Sequence, residues 1–208
     1  MDFDAPEEVA GKGGNFLDDP GTYHVIITDV REGEGPIGNP IDGFTFDFDV
    51  LAGTVEGCES KSGGQSLFAP DMSQAEDKQR RAKHVLAAFF IAANVMDPNS
   101  LGKSVKIDVA AANGQQLVIH LERKMDQDKE TGKWDVPSKF LKISFSNIYH
   151  VDDPRVAGVP KNADAIGMID ADKRHTDPTW FAFTAKKSAE VKRDPQPKQD
   201  VDDALAAF

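Results

Sequence analysis

Strict alternation of apolar and polar positions is the dominant signal along the chain. Phe44-Thr45-Phe46-Asp47-Phe48-Asp49-Val50 sets Phe44, Phe46, Phe48 and Val50 on one side and Thr45, Asp47 and Asp49 on the other. That spacing predicts a strand with one core face and one wet face. Thr22 to Val30, rich in β-branched and aromatic residues, predicts an earlier strand, and the Gly/Pro-rich stretch from Gly33 to Gly43 is the loop after it. A short strand is expected around Ser66-Leu67-Phe68. Lys103 to Val109 and Gln116 to Lys124 both alternate about a turn at Ala112-Asn113-Gly114, which predicts a hairpin. After a polar excursion from Lys129 to Trp134, Lys139 to Ser146 alternates again. There Leu141, Ile143 and Phe145 face one way, and Phe140, Lys142 and Ser144 the other.

One segment changes period. Ala82, Val85, Phe89, Ala93 and Met96 recur at helical spacing, with Leu86 and Phe90 widening the stripe. Ser73-Gln74-Ala75-Glu76 has the form of a capping box, in which serine and glutamate side chains satisfy each other's backbone amides. The helix is therefore expected to start there and to stop at Asp97-Pro98-Asn99. Its polar face carries Lys78, Arg80, Arg81 and Lys83, an ordinary solvated surface for most of those charges.

The order strand, strand, short strand, helix, strand, strand, strand predicts a mainly β protein. It is compatible with an OB-fold Greek-key barrel with one capped α-helix between the third and fourth strands. A general α+β sandwich accommodates the same order. Four regions are expected: a mobile acidic lead-in over 1–20, ending at Asp19-Pro20-Gly21; the barrel over 21–150; an extension over 151–185; and a disordered linker and acidic tail over 186–208. The extension is polar with scattered prolines and holds an aromatic island, Trp180-Phe181-Ala182-Phe183, expected to pack on the domain or on a second subunit.

A length of 208 residues is enough for one self-sufficient core. No apolar run approaches the roughly 18 residues that would suggest a membrane span, and the acidic N-terminus lacks the form of a secretory signal, so a cytosolic protein is expected. A single cysteine, Cys58, precludes an intramolecular disulfide or a multi-cysteine zinc site. The formal charge of −11, taken globally, argues against a polyanionic partner. Its distribution alters that: Asp2, Asp4, Glu7, Glu8, Asp18 and Asp19 against Lys12 put −5 on residues 1–19, and Asp200, Asp202 and Asp203 put −3 on residues 200–208. Residues 20–199 carry the remaining −3.

A polar linker, an acidic cluster and a terminal phenylalanine make the last segment similar to the tail of single-stranded DNA-binding proteins of bacteria and their phages. Phe208 offers a ring and a free carboxylate to a partner's pocket, and Asp200, Asp202 and Asp203 add attraction to basic partners. An amphipathic last turn, with Val201, Leu205 and Phe208 docked on the domain, is the structural alternative. The run from Gly21-Thr22-Tyr23 through Leu86-Ala87-Ala88-Phe89 to Leu101-Gly102-Lys103 resembles a phage-encoded family of OB-fold single-stranded DNA-binding proteins over residues 20–150. The resemblance implies sequence-tolerant coating of single strands in phage replication or recombination, in the cytoplasm of the bacterial host. It also implies recruitment of replication or recombination proteins by the tail, with no catalytic residues.

Single-strand binding needs cations along a groove and flat side chains on which bases stack. Arg123, Lys124, Lys129, Lys133, Lys139 and Lys142 lie among Trp134 and Phe140, and Tyr23, Arg31 and Lys61 are further candidates. Glu122, Asp126, Asp128, Glu130 and Asp135 nearly cancel the bases of the first group, so a salt-bridged hairpin with Trp134 as a packing residue is the plain alternative. Phe140 is the best single aromatic candidate, because Lys142 and Ser144 share its face.

Enzymatic readings find less support. Asp47-Phe48-Asp49 and Asp126-Gln127-Asp128 place carboxylates two apart, but a two-metal hydrolase needs further ligands and a positioned base. The five histidines are scattered, and Gly11-Lys12-Gly13-Gly14 and Gly33-Glu34-Gly35 lack the setting of a phosphate loop. The expectation is a non-enzymatic protein without cofactor or metal, with no membrane contact and with a surface that permits a homo-oligomer. The runner-up is a β-rich phage interaction or structural module without nucleic-acid affinity.

Overall fold

A computed structural model of the chain describes residues 15–35, 38–128 and 131–181, excluding the side chains of residues 135, 139 and 144–146. The architecture is mainly β. Five strands, β1 (Gly21–Glu34), β2 (Pro40–Gly53), β3 (Ser62–Phe68), β4 (Gln116–Gln127) and β5 (Trp134–His150), form one sheet in the order β3-β2-β1-β4-β5. Every neighbouring pair is antiparallel. The long first strand is the spine: its first half pairs β4, from Gly21 opposite Leu121 to Ile26 opposite Gln116, and it pairs β2 from Tyr23 opposite Gly53 to Glu34 opposite Pro40. Register shifts at His24/Val25, Ile27/Asp29 and Glu32/Glu34 bend it, as bulges do.

The phenylalanine alternation of β2 builds the core. Phe44, Phe46, Phe48 and Val50 are all buried, and the Phe89 ring of helix α1 (Glu76–Ala92) stacks at 4.9 Å from Phe44 and 4.8 Å from Phe46. Tyr23, Val25 and Ile27 of β1, Leu117, Ile119 and Leu121 of β4, and Leu141, Ile143 and Ile148 of β5 complete this cluster. The opposite face of β2 is not uniformly wet, because Thr45 is buried with its hydroxyl 2.8 Å from that of Ser66. Two glycines permit close approaches. A Cβ on Gly43, at φ +145°, would stand 2.1 Å from the Leu67 carbonyl oxygen, and one on Gly63 would stand 2.6 Å from the Phe48 ring.

The sheet's edges, β3 and β5, are joined by the Gln65 side chain. Gln65 donates its amide to the Leu141 carbonyl at 3.0 Å and accepts the Ile143 N–H at 3.2 Å, substituting for two ladder bonds. Residues 15–19, expected in the mobile lead-in, instead line the sheet. Phe16 bridges Ser62 in parallel, the Leu17 N–H donates to the Ser62 carbonyl, and the Asp19 carbonyl accepts the Tyr23 hydroxyl.

Helix α1 forms between β3 and β4, but the capping box does not. The N-cap is Ala75 without a side-chain bond, and Ser73 turns back to donate to Asp71, whose local Asx turn competes with the cap. The helix ends at Ala92, short of the expected stop. Asn94 adopts φ 57°, a left-handed conformation asparagine tolerates, and the Val95 and Met96 amides fold back to the Phe90 carbonyl. Residues 103–108 are not a strand, so the hairpin expected between 103 and 124 is absent. Both edges of β4 are already occupied, by β1 and by β5. The glycine turn survives in another role, Gly114 at φ 75° donating to the Ile27 carbonyl.

Residues 151–176 belong to the same compact unit as the sheet, although their polar composition gave no sign of it. Val151 and Val156 cover the outward-facing Val118 of β4, with Tyr149, Val159 and Ile169 around them. The short helix α2 (Ala163–Gly167) is capped by Asn162, whose side chain accepts the Ala165 N–H. The described residues 177–181 fall outside that unit, and there Trp180 and Phe181 make an edge-to-face contact at 5.0 Å. No helix among the described residues is long and apolar enough to cross a membrane.

Candidate nucleic-acid interface

The distal parts of β4 and β5 make a two-stranded arm whose tip is held by its own hydrogen bonds. Met125 pairs Pro137, Asp126 pairs Val136 and Gln127 pairs Trp134. At the tip, the Asp128 N–H donates to the Lys133 carbonyl at 2.7 Å and the Gly132 N–H to the Asp128 carbonyl at 2.8 Å. The Asp128 carboxylate accepts the Thr131 N–H, and Gly132 supplies the left-handed residue at φ 71°. Four large apolar side chains are exposed on this arm and the adjoining strand: Met125, Trp134, Val136 and Phe140, with Trp134 at 69% and Phe140 at 75%. A single exposed apolar residue is ordinary, whereas four on one short stretch of two strands leave apolar surface on both faces of the arm available to a ligand.

The expected cations fare differently from the aromatics. Arg31 is locked by carboxylates, bonded to Asp29 and, at 2.8 Å, to Asp47, with Glu34 at 4.0 Å. The hydrogen bonds it donates to Asp47 and Asp29 hold its guanidinium well above the usual range of basicity, and with three acids around one base the site repels phosphate. Arg123 is spent on structure: it donates to the Ser138 carbonyl at 2.9 Å, to the Asp18 carbonyl and, at 2.6 Å, to the Asp18 carboxylate. Lys61 faces Asp19 at 3.6 Å and Lys124 faces Glu122 at 3.7 Å. Tyr23 is removed as a stacking platform altogether. Its ring has no exposed surface, and burial, aided by the nearby Cys58 and Asp19, pushes its hydroxyl up to about 12.

Lys133 and Lys142 remain accessible. Lys133 is exposed at the tip beside Trp134 and has no ion pair among the described residues, and Lys142 is half exposed with Asp126 at a loose 3.9 Å. Solvent-exposed pairs of that geometry are worth about 0–1 kcal/mol, so an arriving phosphate can displace one. Lys139 lies in β5 with its side chain outside the description. Lys129 and the tail residues Asp200, Asp202, Asp203 and Phe208 lie outside the described residues, as do Ala182 and Phe183 of the aromatic island.

The sequence-predicted residues that stay accessible on the arm are thus Trp134, Phe140 and Lys142 on β5 and Lys133 in the turn just before it. Tyr23, Arg31, Lys61 and Arg123 do not join them as free groups. Met125 and Val136 were missed, although their place beside charged neighbours in a strand leaving the core was a usable signal. Also exposed, and also missed, are Phe68 at the end of β3 and Met72 after it.

Four buried polar side chains, His24, Gln116, His150 and Asp153, gather elsewhere, where residues 151–176 meet β1, β4 and the end of β5. His24 has no exposed surface and His150 almost none. Burial lowers the basicity of both: His24 against a weaker opposing hydrogen bond that its Nε2 donates to Gln116, and His150 to about 4 despite the nearby Asp152. Every buried side-chain nitrogen and oxygen described has a hydrogen-bond partner, so this region is a closed network with no donor set aimed at an absent ligand. Among the described residues, no three His, Cys, Asp or Glu side chains could hold a metal ion. Comparison of the chain with models of known protein families finds no match, and comparison with curated proteins likewise finds none.

Proposed function

We propose that the protein binds single-stranded DNA through the distal β4–β5 arm, with Trp134 and Phe140 as stacking platforms and Lys133 and Lys142 as phosphate contacts. The observation that carries this reading is the exposure of both aromatic rings on an internally braced arm. Stacking on such rings is worth about 1–3 kcal/mol per base and tolerates any sequence. The fold is read as an OB-type barrel opened between its third and fifth strands. The order β3-β2-β1-β4-β5, the Gln65 bridge between the edges and a helix between β3 and β4 all support that assignment. In an OB barrel the β4–β5 loop is one of two that flank the nucleic-acid groove.

The wider role is coating and protection of single strands in phage replication or recombination, in the cytoplasm of the bacterial host. The acidic tail ending in Phe208 recruits replication or recombination proteins, a part of the proposal that rests on sequence alone. One observation favours the second reading, a protein-interaction module. Most candidate cations are neutralised by carboxylates while Met125 and Val136 add apolar surface, a balance that suits a protein partner as well as a base.

A titration with an oligo-dT strand decides between them. In a Trp180→Phe background Trp134 is the only tryptophan, and its fluorescence should fall on binding. Because few cations are free, the affinity should depend only shallowly on salt. With two or three phosphate contacts the log–log slope is about −1.4 to −2.1 at roughly 0.7 per contact. Absence of quenching at low salt overturns the DNA reading and leaves the interaction module.

A further inference from the structure

The segment 151–176 is held against the sheet by two histidines in the same unusual role. His24 Nδ1 accepts the backbone N–H of Asn162 at 3.1 Å, and His150 Nδ1 accepts the backbone N–H of Asp152 at 3.1 Å. Each ring's other nitrogen faces an acceptor: His24 Nε2 lies 3.0 Å from the Gln116 side-chain oxygen, and His150 Nε2 lies 3.0 Å from the Lys173 carbonyl, which it shares with the Asn94 amide nitrogen 3.1 Å away. A backbone N–H can only donate, so both rings must be neutral and carry their proton on Nε2. Protonating either Nδ1 would set an N–H against an N–H in a buried site. The fastenings continue from these rings. Gln116 donates to the Ala165 carbonyl at 2.7 Å, Asn94 donates to the Lys173 carbonyl at 3.2 Å, and the Asn94 oxygen lies 2.6 Å from His175 Nε2.

We propose that His24 and His150 form an acid-sensitive latch that fastens residues 151–176 over the outer face of β1 and β4, and that protonation in mild acid releases this segment while the sheet stays folded.

The groups facing the rings set the direction. His24 meets the Lys161 ammonium, which opposes a second positive charge, and the neutral Gln116. His150 meets His175, with ring centroids 4.9 Å apart, and Arg174, both of which oppose protonation, and the Asp152 carboxylate at 3.8 Å, which favours it. Asp152 is already committed, accepting two bonds from Arg174 at 2.6 and 2.7 Å and the His175 N–H at 3.0 Å. His175 faces Asp152 and Asp97, yet burial lowers it as well. A histidine that resists protonation in the closed state binds protons preferentially when the segment opens. The closed state is therefore fully favoured above the ordinary histidine pKa of 6.5 and is weakened as pH falls from there toward about 4.

Hydrogen exchange of the full chain tests this. With His150 alone titrating from about 4 when closed to 6.5 when open, linkage predicts exchange of the Asp152, Asn162 and 165–175 amides about 30-fold faster at pH 5 than at pH 8, after correction for intrinsic rates. The paired amides of β1 and β4 should keep their protection. Imidazole nitrogen NMR at pH 7 should show both rings as neutral Nε2–H tautomers. In the double variant His24→Asn, His150→Asn, an amide oxygen stands near each Nδ1 and does not titrate, so the pH dependence should disappear. Protection of 151–176 that is unchanged between pH 8 and pH 5 would overturn the proposal, as would an Nδ1–H tautomer or loss of sheet and segment in one step. Retained pH dependence in the double variant would also overturn it, and should that variant fail to fold, the wild-type exchange and tautomer measurements decide alone.

Discussion

Phe46 and Phe140 sit on strands of the same sheet, yet the first has no exposed surface and the second shows three quarters of its ring to solvent. Around Phe46 the rings of Phe44, Phe48 and Phe89 lie at 6.4, 6.1 and 4.8 Å, every one of them buried. Around Phe140 the large exposed apolar neighbours in sequence are Trp134 and Val136, and the nearest cation in sequence whose side chain is described, Lys142, is half exposed. Identical chemistry is spent in one place on cohesion and in the other on contact that folding leaves unused. Hydrophobic burial stabilises in proportion to the area removed from water, so the root of the sheet supplies stability and the arm can be altered at little cost to it.

The contrast is broken most severely at the root. Phe46→Ala should destabilise the protein by about 3–5 kcal/mol, the usual cost of deleting a fully buried ring, and lower the denaturation midpoint accordingly. Since native domains hold only about 5–15 kcal/mol in total, that variant should be marginal or unfolded in urea titrations, where the wild type is folded. A loss below about 1 kcal/mol would mean the aromatic cluster does not organise the core.

On the arm the expected effects reverse. Trp134→Ala and Phe140→Ala should leave the denaturation midpoint within about 0.5 kcal/mol of wild type. Each should weaken oligo-dT binding by about 1–3 kcal/mol, a loss visible in an anisotropy titration with a labelled strand. Stability lost without any change in binding would return these rings to a packing role and end the distinction between the two regions.

The root was legible in the sequence because one-sided burial imposes a period of two, and Phe44, Phe46, Phe48 and Val50 display it without interruption. The exposed arm was legible only as a composition, a mixture of aromatics and charges from 123 to 142. Which charges would be free depended on non-local partners such as Asp18 for Arg123, Asp47 for Arg31 and Asp19 for Lys61, and no local pattern records them. The alternation of Lys103 to Val109 misled for a related reason. A strand needs an open edge to pair with, and β4 had none left. Tyr23 misled because an aromatic residue in a strand reads alike whether it faces inward or outward. The segment 151–176 escaped notice because its attachment is polar, through His24, Gln116, Asn162 and His150, and polar packing carries no periodic signature.

The finest test of the comparison concerns charge on the arm. Among the described residues Asp126 is the carboxylate paired with Lys142, at 3.9 Å and with both side chains half exposed, so the pair is worth at most about 1 kcal/mol and contributes little to folding. Asp126→Asn should free the lysine and remove a negative charge from beside the stacking rings. Oligo-dT affinity should then rise by about 0.2–1 kcal/mol at low salt, with the gain fading as salt screens the surface. The log–log salt slope should steepen by up to about 0.7, one further phosphate contact. The same change at Asp47 frees no usable cation, because Arg31 keeps Asp29 and Glu34 beside it. Equal gains from Asp126→Asn and Asp47→Asn would show that affinity follows net charge alone, and the arm would lose its claim to be a defined surface.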